Sequence, residues 1–555
     1  MDCRPSGALG WPAVHLLGRG HFELRQNEPA VRLRSRHPAA PREESSFLKA
    51  ARSRLGKVRR EDVLTGALML GVFVAYLAVI QFASGALAGT DGYYHVRMAR
   101  IMAAEGLVPR FPWLPLTILK EASFYDHHFL FHVALIPFTA WDPLQGAKWA
   151  SVAFASLAFL AFWWLLRAHN VRWPALWSLG LLVVSEAFLY RMSMVRAQSL
   201  SLLLLAIGLH WMFTERYRRL ILLGFIYVWL YNGFPLLVVV ALLYAGARWL
   251  VEGTLTVKPI AYSLLGIGLG LLINPYFPRD LIFIYQHLTP KLIDATSLRV
   301  GNEWFPYETA TLLRNSPLAL AALAAGAVAL GLNRKRMRVT TATTLLAALV
   351  FGWMLFQSRR FIEYFPPFAL VFAAFAWTEL PAAVGVSGAE LRVGRWRLPW
   401  RRAWLEAGLL VAILLLGASF TLPAARDSLS NSASADRYAA AAAWLANNTP
   451  QGSRVFQTDW DDFTRLFYRN THNTYLVGLD PSYLQLYDSI LYDLWVEVTA
   501  GEVDNPSAVI GDVFEASYVF SDLNHRAFLR RADRDDGLVE VYRDDDAVIY
   551  RVVRD

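Results

Sequence analysis

From Gly89 to Arg100 the chain reads Gly-Thr-Asp-Gly-Tyr-Tyr-His-Val-Arg-Met-Ala-Arg, which sets Asp91, Tyr93, Tyr94, His95 and Arg97 just beyond a long apolar run. Such groups beside a membrane are costly to hold unless they meet a polar ligand or each other. Asp91 is therefore the first catalytic candidate. It could act as general base toward an incoming hydroxyl or amide, or help hold a divalent cation, magnesium or manganese, beside a leaving phosphate. Tyr125-Asp126-His127-His128 closes the same loop, and Asp126, His127 and His128 offer metal ligands to accompany Asp91. Adjacent histidines in a strand or turn point apart, so a shared ion needs an irregular backbone there.

Further clusters follow. Gly301-Asn302-Glu303-Trp304-Phe305-Pro306-Tyr307-Glu308 supplies Glu303 and Glu308 as second carboxylates. Arg359 and Arg360 open an apolar run, where a guanidinium fork matches the oxygens of a phosphate or pyrophosphate at headgroup depth. Trp460 and Asp461, with Phe463, Phe467, Tyr468 and Tyr475, read either as a sugar-stacking surface or as an ordinary core strand with an Asp-rich turn.

The elements that must position these groups are legible in the composition. The 555 residues are 55% hydrophobic and 18% charged, too apolar for a soluble chain of this length. Apolar runs at 62–84, 149–167, 173–190, 197–213, 218–234, 235–250, 259–276, 316–333, 339–357, 361–379 and 404–422 predict a polytopic α-helical membrane protein. At roughly 20 residues per span this is about eleven spans, and up to about thirteen. The stretch from Phe129 to Ala140 is limited by Pro137 and reads as a re-entrant or surface helix. The net charge of +9 falls mainly in an N-terminal tail and in short loops, the footprint of membrane topology rather than of nucleic-acid binding. With one cysteine, Cys3, the chain has no disulfide framework and no cysteine nucleophile in its folded part.

Arginine clusters at 216–219, 334–338 and 392–402 fall on alternate loops with the tail, which predicts a cytoplasmic N-terminus. Loops 85–148 and 277–315, the turn 191–196 and everything after 422 then lie outside the cytoplasmic membrane. Three segments result: a basic disordered tail at 1–60, a multi-span domain at 61–422 and an outer α/β domain at 423–555, where acids outnumber bases and short alternating runs predict strands.

The run Thr90 to Arg97 resembles the first-loop acidic motif of oligosaccharyltransferase catalytic subunits, and the many-span body with two large outer loops resembles the type C glycosyltransferases to which they belong. The resemblance implies a sugar or oligosaccharide donor on a polyprenyl phosphate or diphosphate, and a glycan, lipid or protein acceptor. It makes Glu303 or Glu308 the second-loop glutamate, and Arg359-Arg360 the lipid-phosphate site. Two departures stand out. The turn Met192 to Ser199 lacks the family's paired acids, with Glu186 the nearest substitute, and Thr458-Asp459-Trp460-Asp461-Asp462-Phe463 keeps only one tryptophan and one aspartate of the sequon-reading motif. Asparagine glycosylation is thus the narrower alternative. A lipid or sugar transporter is the alternative of another class, although its usual signature is polar groups at a midplane break rather than at one surface.

Overall fold

The computed structural model describes residues 60–293, 301–333, 336–380, 391–393, 396–398 and 402–554. The expected tail at 1–60, apart from Arg60, and parts of the basic loops at 334–338 and 392–402 lie outside them. Each predicted apolar run coincides with a helix or a bent helix pair. Arg60–Gln81, Pro143–Ala168, Pro235–Glu252, Val339–Gln357 and Arg402–Ser430 are long apolar helices, and two further candidate spans are helix pairs bent by 78° and 82°, the second at Asn315–Pro317. Among the described residues, five helices are long and apolar enough to cross a membrane, or up to seven with the bent pairs. Other apolar helices, such as Gln198–Phe213 and Lys258–Leu272, are shorter. The expected surface or re-entrant segment is a helix, Phe129–Leu135, tightened into a 3-10 turn over Ile136–Thr139.

Local sequence explains the helix ends. Asp142 caps Pro143–Ala168, its carboxylate accepting from the Leu144 and Gln145 amides at 3.0 and 3.1 Å, with proline at the first helical position. In a bundle where lipid supplies no hydrophobic drive, close backbone approach takes over. A Cβ on Gly266 would stand 2.2 Å from the Ile221 carbonyl, so only glycine lets Lys258–Leu272 lie this close to Leu220–Leu230.

Beyond the bundle lie a hairpin of β1 (Leu391–Val393) and β2 (Trp396–Leu398) and a five-stranded sheet. The sheet comprises β3 (Arg454–Gln457), β4 (Thr474–Tyr475), β5 (Tyr518–Asp522), β6 (Leu538–Arg543) and β7 (Ala547–Val552), in the order β4-β3-β5-β7-β6. The β4-β3-β5 pairs are parallel and the β5-β7-β6 pairs antiparallel. The two-residue strand period assigns alternate side chains to two cores. Phe456, Val519, Val548 and Tyr550 face the helices of the C-terminal segment. Val455, Phe520 and Ile549 instead share a core with Tyr94, Met98, Phe111 and Trp113 of the first long loop. The segment after the last long helix is therefore packed onto the first long loop and the helix within it that begins at Asp91. Position 423, where the composition changes, is Pro423 within the helix that runs on to Ser430.

Candidate active site

Asp91 opens the helix Asp91–Glu105, where its carboxylate meets the positive end of the helix dipole. The approach to it is set by Gly89, whose φ of +69° strains a residue with a side chain and beside which the terminal methyl of Met194 occupies the place a Cβ would take. This contact brings the first loop against the turn that follows Glu186–Ser193. There Arg196 forms an ion pair with Asp91 Oδ2.

The same guanidinium donates from Nη1 to Glu303 Oε2 at 2.9 Å. Arg191 Nη1 reaches that oxygen at 3.0 Å, and Arg360 Nη1 lies 3.4 Å from Oε1. Arg191 also donates from Nε to Glu363 Oε1 at 2.6 Å. Three arginines and three carboxylates thus form one part-buried network. Burial pushes the Glu303 carboxyl up, but Arg360, Arg196 and Arg191 outweigh it and hold the group well below the usual carboxylate range. Burial likewise opposes the charge on Arg196, and Asp91 and Glu303 overcome it.

An open cavity of about 620 Å³ is lined by Asp91, Tyr94, His95, Arg196, Glu303 and Arg360, and also by His127, His128, Asn232 and Tyr483. A second cavity, about 630 Å³, adjoins it and shares Asp91, Arg196, Glu303, Leu479 and Asp480, adding Trp304, Trp460 and Asp461. Asp91 and its ion pair therefore stand on the seam between two chambers. Gln198 Oε1 and His128 Nδ1, both on residues of the first chamber, are buried without a hydrogen-bond partner among the described residues. Such atoms are costly unless a ligand or water meets them.

A chain of hydrogen bonds supports His95. Asp126 Oδ2 lies 2.7 Å from His132 Nδ1, and His132 Nε2 lies 2.7 Å from His95 Nδ1. With each Nδ1–H donating along this chain, His95 keeps Nε2 as an acceptor. Burial lowers the His95 and His128 imidazoles well below their usual value and His127 to about 4, so all three are neutral near pH 7.

Of the residues singled out in the sequence, Asp91, Tyr94, His95, His127, His128, Glu303, Arg360, Trp460 and Asp461 line one chamber or the other. Glu308 is exposed and precedes the helix Thr309–Asn315. Arg359 points the other way from Arg360, donating to the Phe305 and Pro306 carbonyls at 3.2 Å each and covering the Tyr307 ring. Tyr93 and Arg97 join the first loop to the C-terminal segment: Arg465 lies 4.4 Å from the centre of the Tyr93 ring, and Arg97 donates to Thr471 Oγ1 at 2.8 Å. Phe463, Phe467 and Tyr475 are core residues, and Trp460 alone of that aromatic series lines a chamber.

Arg191, Arg196, Gln198, Asn232, His132 and Glu363 went unrecognised in the sequence. A signal existed for the two arginines, because basic residues on a turn opposite the basic loops run against the topology rule. His132 was likewise an ionisable group inside an apolar stretch.

Asp461 accepts from Thr90 Oγ1 at 2.7 Å. Burial, reinforced by Asp91 and Asp459, pushes its carboxyl up to about 6 despite that bond. A carboxyl raised on folding binds its proton more tightly in the native state, so its contribution to stability is present at pH 4 and lost as pH rises through about 6. The Asp461→Asn variant should accordingly gain thermal stability relative to the parent between pH 4 and 7, read as the difference of two Tm series. A constant difference would show that Asp461 is not raised.

No protein-family model matches the sequence, and no curated protein does. Among solved structures, the apo oligosaccharyltransferase of Archaeoglobus fulgidus superposes with a TM-score of 0.60 at 13% identity, over 90% of this chain and 75% of that one. The same enzyme with an inhibitory peptide and a dolichol-phosphate gives 0.58 at 13% identity, over 88% and 74%. The mycobacterial arabinofuranosyltransferase AftD gives 0.52 at 16% identity, over 88% of this chain and 40% of the other. The chain therefore has the fold of these membrane proteins. A further structure of the archaeal enzyme, with a TM-score of 0.55, holds zinc and sulfate.

The residues present do not fit such a cation. No group of three or more His, Cys, Asp or Glu side chains is arranged as ligands among the described residues. Asp91 and Glu303 are bridged by Arg196, Asp126 is turned onto His132 and the His128 amide, and the His127 ring stacks on Phe283 at 5.1 Å. Glu186, the nearest acid to the turn, accepts from Ser428 at 2.6 Å instead.

Proposed function

We propose, from the fold shared with the archaeal oligosaccharyltransferase and AftD and from the site at Asp91, that this chain is an integral membrane glycosyltransferase. It moves a sugar or oligosaccharide from a polyprenyl phosphate or diphosphate to an acceptor at the outer face of the cytoplasmic membrane, with the N-terminus cytoplasmic. The observation that carries this reading is the position of Asp91 and Arg196 on the seam of two chambers. A displacement at a sugar carbon needs its donor and acceptor on opposite sides of that carbon, with a proton acceptor beside the incoming group.

The chamber lined by Arg360 suits the carrier phosphate, since the guanidinium is permanently charged and matches phosphate oxygens. Arg360 is oriented by Glu303, by the Trp304 ring 5.0 Å away and by the Tyr231 hydroxyl at 3.4 Å. Trp460, Trp304 and Asp461 line the other chamber, an aromatic and acidic surface suited to an acceptor bearing hydroxyl groups. The acceptor oxygen attacks the sugar C1, its proton passes to Asp91, and the bond from C1 to the carrier phosphate oxygen breaks with inversion. Because the ion pair engages Oδ2 of Asp91, Oδ1 is the oxygen to take that proton.

The test is radiolabelled sugar transfer or donor hydrolysis by the purified protein in lipid, offered a mixed pool of polyprenyl-phosphate and polyprenyl-diphosphate sugars. Consumption of one donor class establishes the enzyme and its carrier. If no donor is consumed while labelled lipid or sugar crosses the bilayer, the transporter reading replaces this one.

A further inference from the structure

The turn that lacks the expected acids carries instead a cation of its own. Arg196 touches Asp91 with one terminal nitrogen and Glu303 with the other, and these are the two carboxylates a divalent ion would have to bridge. Its side chain is 13% exposed, so the pair is largely out of water and screened little by salt. Formal charges already balance: Arg191, Arg196 and Arg360 stand against Asp91, Glu303 and Glu363. A divalent ion entering here would meet no carboxylate of this network that an arginine does not already neutralise. It would also have to displace a guanidinium from both carboxylates.

Close packing at Gly89 and Gly92 supports the arrangement. The former admits Met194, and a Cβ on the latter would stand 3.1 Å from Val195 Cβ, so the turn seats against the first loop and brings Arg196 to Asp91.

We infer that Arg196 is the resident cation of this site, bridging Asp91 and Glu303 in place of a divalent metal. It orients the Asp91 carboxylate and, with Arg360, meets the negative charge of the phosphate group in the adjoining chamber. The role assigned to the phosphate rests on the glycosyltransferase reading; the replacement of a metal does not.

Three further properties follow from a guanidinium in this position. Its charge does not depend on ion supply, so function persists in chelator. Lysine restores the charge but cannot make both contacts from one planar fork, so it restores little. Removing the side chain leaves two carboxylates facing a gap, and that variant acquires affinity for a hard divalent ion.

The deciding experiment is manganese binding to the full-length protein in lipid nanodiscs, followed by electron paramagnetic resonance with no donor present. The wild type should bind no manganese that is sensitive to Asp91→Asn at concentrations up to a millimolar. Arg196→Ala should bind one ion at least tenfold more tightly than the wild type, and the double variant Arg196→Ala/Asp91→Asn should lose it. Stoichiometric manganese on the wild type, displaced by Asp91→Asn, overturns the inference whether or not the protein proves to be a transferase. If Arg196→Ala does not fold, Arg196→Gln keeps part of the bulk and an amide donor group without the charge, and the wild-type measurement alone still decides. With a transfer assay in hand, activity should be unchanged in chelator. Arg196→Ala should fall at least a hundredfold and recover in part with millimolar guanidinium; absence of both the fall and the recovery refutes the assigned role while leaving the glycosyltransferase reading intact.

Discussion

Asp91→Asn should lower sugar transfer by about a thousandfold while leaving donor KM unchanged or slightly reduced. The size follows from losing a positioned proton acceptor, which contributes on the order of 10²–10⁴ in rate. The sign on KM follows from the ion pair. Asparagine keeps the shape of the side chain and removes its charge, so Arg196 retains its bond to Glu303 but gains net positive potential toward an anionic donor. A fall in kcat without a rise in KM identifies a group that acts in the transition state. Steady-state kinetics on the donor class identified by the transfer assay checks this. A variant whose loss lies wholly in KM would make Asp91 a binding residue and return the search for the base to His95, which the Asp126–His132 chain leaves with an acceptor nitrogen.

Glu303→Gln should be the more damaging change to the protein itself. Among the described residues, Glu303 is the one carboxylate touched by Arg191, Arg196 and Arg360 together. Neutralising it leaves three guanidiniums around an amide that can satisfy only part of their donors. Removing one partner of a fully buried ion pair costs about 3–5 kcal/mol, which sets the upper bound for this part-buried cluster. The expected result is a thermal midpoint several degrees lower in lipid nanodiscs, with transfer also lost. Glu308→Gln, five positions away on an exposed site, should fall within about 0.5 kcal/mol of the parent. Equal destabilisation by the two substitutions would show that the arginine cluster does not depend on Glu303.

These two carboxylates also show why the site was only partly legible. Glu303 and Glu308 are equivalent as residue types, and both lie in the second long loop. The difference arises because Asn302–Trp304 forms a 3-10 turn against Ser358, whose hydroxyl donates to the Glu303 carbonyl at 2.9 Å, whereas Glu308 stands at the free start of the next helix. Arg359 and Arg360 part company for a similar reason. In a tight turn neighbouring side chains diverge by more than a right angle, so one guanidinium holds the Phe305 and Pro306 carbonyls and the other faces the chamber. The aromatic series after Trp460 offered two readings that periodicity could not separate. Its fate depended on Phe111 and Trp113, far away in the first loop, which claimed Phe467 for a core.

What the sequence by itself determined is what depends on local composition and on the bilayer. Apolar runs of this length became helices because a helix satisfies every backbone group within its own segment, without water. The motif from Thr90 to Arg97 singled out Asp91 as a loop residue, and the structure sets it at the start of the helix Asp91–Glu105. Alternation of the spans placed Asp91, the 191–196 turn, the second long loop and the C-terminal segment on one side, and their residues do line shared chambers. What only the tertiary structure decided is which charges meet. Arg196 and Glu303 are 107 positions apart, and Thr90 and Asp461 are 371 apart. Coulombic pairing acts over a few ångströms and is indifferent to chain distance, so an arginine standing where acids were expected acquires its meaning only when the fold brings it between two carboxylates.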